Sequence, residues 1–248
     1  MLRLFLLFLF FIGLVLVYHF LTIKYLNPYK LTMVFGKKGS GKSTLLVKIA
    51  IQHLSKGWRV YCTEKIPGCF HVDYEDIGFV EFDPNSVLLV DEVGMIWDNR
   101  NFKNFKPEVR DWFKLQRHRR VKVYLFSQTF DVDKKIRDLT DDMYLVEKRL
   151  RVFSYAKRIL KKTVLNKSTA ESPAKLDEDL QFDSLLFFWC GSRRLTFIPK
   201  YVKYFDSFIA DPLKVKEFEY IPPLVVPELK KASHFRMRKK RKGRKLKR

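Results

Sequence analysis

The sequence predicts an α/β fold, a parallel sheet wrapped by helices, and three features carry the prediction. They are a glycine-rich turn between an apolar strand and a helix, a second buried strand ending in two acids, and strand–helix alternation across residues 30–147. The turn is Gly36-Lys37-Lys38-Gly39-Ser40-Gly41-Lys42-Ser43, after the apolar run Leu31 to Phe35 and before a helical stretch from Ser43 to Leu54. That is the context of a phosphate-binding loop. Glycines at 36, 39 and 41 let successive N–H groups point inward, toward the positive end of the following helix. The segment through Thr44 is expected to wrap a triphosphate, with Lys42 on the β- and γ-phosphates and the Ser43 hydroxyl on Mg²⁺.

Gly57 closes that helix, and Arg59 to Thr63 reads as a second strand. Residues 64–84 read as irregular, since Pro67, Gly68 and Gly78 break any period. Val87 to Val90 is a continuous apolar run, as in a strand buried on both faces, and it ends in Asp91-Glu92. Burying an unpaired carboxylate costs roughly several kcal/mol, so packing alone explains two acids there poorly. A metal ion and a catalytic water explain both: Asp91 contacts Mg²⁺ through its water shell, and Glu92 polarises the water that attacks the γ-phosphate. Pro107 opens a helix to about His118, ending in Arg117-His118-Arg119-Arg120. A fourth strand, Val121 to Gln128, places the Gln128 amide between the loop and the acid pair, where it senses the γ-phosphate. A helix at 133–139 and a strand at 143–146 complete the alternation, with the site at the carboxyl ends of the strands.

Beyond residue 147 a β-rich extension is expected over 148–207. Residues 150–164 read as strand, 166–183 as a linker or exposed loop, and 185–189 and 195–198 as the arms of a hairpin around Cys190-Gly191-Ser192. An extended Pro-containing segment, 208–234, and a basic tail, 235–248, follow. The net charge is +22, and ten of the cations lie between Arg236 and Arg248, so the tail is expected to be a flexible arm for polyanions, either nucleic acid or anionic lipid. At the other end, residues 4–23 hold no Asp, Glu, Lys or Arg, with His19 their only side chain ionisable near neutral pH, and as a helix match the thickness of a bilayer core. No small-x-small cleavage pattern follows, so an uncleaved single-pass anchor is expected. Lys24, Lys30, Lys37 and Lys38 against Arg3 put residues 1–3 outside and the body in the cytosol. Three cysteines without a paired pattern suggest a reducing compartment, and the run Cys62, Cys69, His71 lacks the fourth ligand of a zinc site. With no Asn-Lys-x-Asp run, guanine specificity is not expected, and ATP is the expected nucleotide.

The order of phosphate loop, Ile66-Pro67-Gly68, Val90-Asp91-Glu92, Arg117-His118-Arg119, Ser127-Gln128 and Asp133 to Arg137 resembles the zonular occludens toxin family, the assembly ATPases of filamentous bacteriophages. Weaker echoes are Pro199-Lys200-Tyr201 and Tyr204-Phe205-Asp206-Ser207. The resemblance implies a P-loop NTPase similar to FtsK- and HerA-type translocases, acting at the host cytoplasmic membrane to extrude a single-stranded DNA phage. Implied partners are single-stranded DNA or nucleoprotein, bound by the tail and body, phage coat or assembly proteins, and further copies of the chain. In that family the membrane segment follows the ATPase domain and leads to a periplasmic domain, whereas here the apolar segment comes first. Three arginines, Arg117, Arg119 and Arg137, have two readings: fingers reaching a neighbouring subunit's γ-phosphate, or an exposed basic rim on DNA. Alternative functions are a DNA translocase or packaging ATPase, and a non-hydrolysing tether pinning DNA to the membrane.

Overall fold

The computed structural model describes residues 2–97, 106–130, 132, 134–166, 175–184 and 191–205. Helix α1 (Leu2–Thr22) has 21 residues, about 31 Å at 1.5 Å per residue. Its Arg3–Thr22 window has a mean hydropathy of 2.7 and none of it is buried, so it is long and apolar enough to cross a membrane.

Strand β1 (Leu31–Phe35) follows, then α2 (Lys42–Leu54), β2 (Arg59–Cys62) and β3 (Phe70–His71). Next come β4 (Ser86–Val90), the short α3 (Val93–Ile96), α4 (Pro107–Leu115), β5 (Val121–Ser127), α5 (Lys134–Leu139) and β6 (Asp142–Arg149). The chain then turns antiparallel through β7 (Phe153–Asn166), β8 (Lys175–Phe182) and β9 (Arg193–Phe197), before α6 (Ile198–Tyr201). The strands form one sheet in the order β3-β2-β4-β5-β1-β6-β7-β8, with β9 also pairing β7. From β3 to β6 every neighbour pair is parallel, so the carboxyl ends of these strands share one edge and the amino ends the other.

Two apolar clusters fill the two faces. Because successive strand residues point to opposite sides, Met33, Leu88, Val123 and Leu125 pack with Trp112 and Phe113 of α4 and Ile136 of α5. On the other face Val34, Leu89, Tyr124 and Phe126 pack with Leu45, Leu46 and Ile49 of α2. Burial on both faces is why β1 and β4 read as continuous apolar runs.

Several expected boundaries change. Residues 64–84 contain β3, paired with β2, and bury Ile66, Val72, Ile77 and Phe82 as core. The helix from Pro107 ends at Leu115 rather than His118. Within the expected loop over 166–183, residues 175–182 form β8, missed because its stabilising partners are polar. The register sets acidic β8 positions against β7, Asp179 opposite Lys162 for example, and Lys162 Nζ donates to Gln181 Oε1 at 2.7 Å. Of the expected hairpin, residues 185–190 lie outside the described residues, and its second arm is β9, paired with β7. Asp133, Asp206, Ser207, the 208–234 segment and the basic tail also lie outside them.

The sheet extension is held by a buried ion pair. Asp183, with 3% of its side chain exposed, accepts from Arg158 Nε at 2.9 Å and Nη2 at 2.6 Å, and its backbone carbonyl accepts from Arg193 Nη2 at 2.6 Å. Removing one partner of such a pair strands a buried charge, which costs about 3–5 kcal/mol. Asp183→Ala should lower the stability measured by chemical denaturation by about that amount, and Asp142→Ala, whose Lys30 partner is 42% exposed, by less than about 1 kcal/mol.

Candidate nucleotide-binding site

The loop after β1 lies at the carboxyl edge of the sheet. Gly36 N donates to Ser127 O at 3.2 Å, anchoring the loop's start to β5. Gly39 and Gly41 take φ values of 75° and 93°, which glycine adopts without a Cβ penalty. A Cβ on Gly36 would meet Ser40 Oγ at 2.6 Å and Val146 O at 2.8 Å, and one on Gly41 would meet Ser154 Cβ at 2.7 Å. The loop is therefore packed from behind by β6 and β7. Lys42 is buried and its Nζ donates to Gly36 O at 2.9 Å, so the ammonium lies across the curl of the loop. Thr44 Oγ1 donates to Gly41 O at 2.7 Å. Ser40 Oγ is buried without a hydrogen-bond partner, whereas Lys37, Lys38 and Gly39 are exposed.

The acid pair lies at the same edge. Asp91 is 5% exposed; its N–H donates to Thr63 Oγ1 at 3.0 Å, its Oδ1 accepts from Glu92 N at 3.0 Å, and its carbonyl accepts from Tyr74 OH at 3.2 Å. Burial, reinforced by the Glu92 charge, pushes the Asp91 carboxyl up to about 6. Glu92 stands in the left-handed region at φ 48°, ψ 42° and begins α3. For a residue with a Cβ this conformation carries strain, which turns the side chain out of the strand line. Glu92 Oε1 accepts from Gln128 Nε2 at 2.8 Å. The Gln128 amide thus lies beside the acid pair at the end of β5, the strand between β1 and β4, as the sequence leads one to expect.

The donors suit a nucleotide with Mg²⁺. Gly36 and Gly41 leave no room for a Cβ, a buried serine hydroxyl lacks a partner, and the hard oxygens of Ser43 and Asp91 match a cation that takes few protein ligands and completes its shell with phosphate and water. Among the described residues, no group of three or more His, Cys, Asp or Glu side chains gathers as a metal cage. A cavity of about 370 Å³, lined by Lys37, Lys38, Ser40, Leu145 and Val146 among others, opens between the loop and the end of β6.

The arginines separate. Arg117 and Arg119 are exposed in the turn that precedes β5, at the amino edge, opposite the loop. Arg137, in the last turn of α5, donates from Nη1 to Phe130 O at 3.3 Å, and Phe130 stacks on Phe35 at 4.0 Å, so its guanidinium lies on the loop side. Three contributors escaped the sequence reading: Ser154 behind Gly41, and Thr63 and Tyr74 around Asp91. Thr63 had a signal, a hydroxyl ending a strand that lies beside β4. Ser154 had none, since its closeness to the loop is purely tertiary.

The zonular occludens toxin (Zot) family model matches residues 68–177, a span that holds Asp91, Glu92, Gln128 and Arg137 and begins after the glycine loop. It is the family that the sequence motifs resemble. No curated protein matches the chain. Among solved structures, the chain is similar to the N-terminal domain of zonular occludens toxin from Neisseria meningitidis (18% identity, covering 63% of this chain and 95% of that one, TM-score 0.39). It is also similar to the genome packaging NTPase B204 from Sulfolobus turreted icosahedral virus 2 in complex with ATP-gammaS (18%, 50% and 77%, 0.38). A third is the flagellar accessory protein FlaH from Methanocaldococcus jannaschii (12%, 52% and 77%, 0.38).

The raised Asp91 pKa makes stability depend on pH. A carboxyl at about 6 in the fold against about 3.9 unfolded favours the fold most below pH ~4, and that contribution disappears as pH rises through ~6. Asp91→Asn, which keeps an oxygen to accept from Glu92 N, should raise the stability of the nucleotide-free protein by about 1–3 kcal/mol at pH 8. The difference should vanish near pH 4 in paired melts; a pH-independent difference would contradict it.

Proposed function

We propose that this chain, whose middle matches the zonular occludens toxin model, is a membrane-anchored, Mg²⁺-dependent ATPase that powers extrusion of a single-stranded DNA filamentous phage through the host cytoplasmic membrane. The observation that carries the ATPase reading is the meeting, at the carboxyl ends of three adjacent parallel strands, of the glycine loop after β1, Asp91-Glu92 after β4 and Gln128 after β5. Backbone N–H groups of residues 36–44 and the Lys42 ammonium bind the phosphates. Ser43, and Asp91 through a water shell, would hold Mg²⁺, which when bound would supply charge neutralisation to the phosphates. Glu92 takes the proton of the attacking water, and Gln128, bonded to its Oε1, fixes the carboxylate's orientation and links it to the γ-phosphate position. Leu145 and Val146 offer an apolar wall to the nucleoside end.

The membrane reading is supported by the exposed apolar surface of α1 and by the cations that follow it. It puts residues 1–3 outside and the ATPase in the cytosol. Extrusion, coat proteins and single-stranded DNA come from the family likeness, with the excess positive charge as support for a polyanionic partner. Motors of this kind work as homo-oligomers, and Arg137, on the loop side, is the arginine best set to serve a neighbour's site.

ATP turnover by the purified full chain tests the reading. Lys42→Ala should lose nucleotide binding. Glu92→Gln keeps an oxygen for the Gln128 bond and should bind ATP normally while turnover falls ~10²–10⁴-fold, the usual contribution of a general base. Gln128→Ala should bind ATP and lose about 10-fold or more in turnover. Full turnover in Glu92→Gln would remove the assignment.

A further inference from the structure

The amino edge of the sheet, opposite the nucleotide site, gathers cations from segments far apart in sequence. The turn before β5 exposes Arg117, His118, Arg119 and Arg120 in succession. Lys56 and Arg59 flank the entry to β2, Lys30 precedes β1, and Lys122 is the second residue of β5. The acids facing them are Glu81, Asp83, Asp141 and Asp142. Asp83 is taken by Arg59 and Asp142 by Lys30, Asp141 accepts from Leu31 N at 2.7 Å, and Glu81 stands 3.9 Å from Arg119. Among the described residues no carboxylate forms an ion pair with Lys56, Arg117, Arg120 or Lys122. On the α2 side the edge opens into a groove of about 440 Å³ whose charged lining is Lys48, Lys56, Lys122, Arg193 and Arg194, without an acid. Burial and the neighbouring Arg194 charge lower the Lys48 pKa. The edge is built to face anions.

Chain connectivity says which anion. The helix α1 ends at Thr22, a single turn (Ile23–Tyr25) follows, and β1 starts at Leu31. The five residues between Tyr25 and Leu31 span at most about 20 Å when extended and the turn adds about 6 Å, so the amino end of β1 is tethered within about 26 Å of the point where α1 leaves the bilayer. The tether is fastened to the same edge: Gln116 Nε2 donates to Tyr29 O at 3.1 Å, and Tyr29 OH bonds to Asn85 Oδ1. A negative membrane surface attracts juxtamembrane cations within a Debye length, each worth roughly fivefold in affinity.

We propose that this amino edge is a membrane-docking surface that binds anionic lipid headgroups through Arg117, Arg119, Arg120, Lys56 and Lys122. It rests on the reading of α1 as a membrane span. Docked in this way, the sheet stands with its carboxyl edge away from the bilayer, and the loop, Asp91, Glu92 and Gln128 face the cytosol at the far end of β5, roughly 20 Å deeper. The surface leaves Arg117 and Arg119 a role distinct from that of Arg137.

The test uses the full chain in nanodiscs of phosphatidylcholine alone or with an equal share of phosphatidylglycerol, followed by amide deuterium exchange over residues 115–122. Uptake there should be about tenfold slower in the anionic discs than in the neutral ones, and high salt should abolish the difference. Both changed residues of R117Q/R119Q are exposed, and the variant should exchange at the neutral-disc rate in either disc; R117K/R119K should retain the slowing. Equal uptake in both discs by a native chain that stays with them overturns the docking surface and leaves the anchor standing. A chain that elutes apart from both kinds of disc removes the anchor and the proposal with it. Slowing by a single-stranded oligonucleotide in neutral discs, without slowing by anionic lipid, overturns the proposal in favour of a nucleic-acid surface.

Discussion

The insertion of β5 between β1 and β4 is the constraint on which the rest of the site depends. Its parallel register sets Phe35 level with Ser127 and Val90 level with Leu125. Gly36 and Glu92 therefore emerge at nearly the same height, with Gln128 between them. A slip of one residue would turn every β5 side chain to the opposite face. It would bring Tyr124 and Phe126 to the α4 and α5 side and take Gln128 from Glu92. The register is secured because both faces of β5 are buried, Val123 and Leu125 on one side and Tyr124 and Phe126 on the other.

The parallel arrangement also polarises the molecule. Loops that leave the carboxyl ends carry the glycine cradle and the acid pair, and helices return the chain to the amino edge, where the turns are cationic. A carboxylate buried at the carboxyl edge is costly by itself, and burial together with the Glu92 charge raises the Asp91 pKa. The amino edge shows the reverse imbalance.

The antiparallel extension packs against the glycine loop rather than standing apart as an appendage. Strand β7 pairs β6 and brings Ser154 against Gly41, where its Oγ donates to the glycine carbonyl at 3.4 Å. Four residues further along β7, Arg158 pairs with the buried Asp183, so the back wall of the glycine loop is tied to strands that arrive more than a hundred residues later. On the α2 face, Arg194 of β9 lies over the rings of Tyr144 and Tyr124, at 4.5 and 5.9 Å, joining the extension to the parallel half of the sheet.

What the sequence determined by itself was local. A glycine loop between a strand and a helix, an apolar run ending in two acids, a strand ending in glutamine and a twenty-residue apolar stretch each mark a local element through composition at fixed spacing, and the structure returns β1, α2, β4 and β5 within a residue or two of those readings. Strands β3 and β8 were not legible. One is only two residues long, and the other is stabilised by cross-strand polar pairs, so neither carries a hydrophobic period. Only the tertiary structure decided that Gln128 bonds to Glu92, that Ser154 backs Gly41, and that Arg117 and Arg119 stand on the edge opposite Arg137. Each of these is a matter of strand order and register, which come from the competition among all strands for neighbours in one sheet and leave no mark at any single position in the chain.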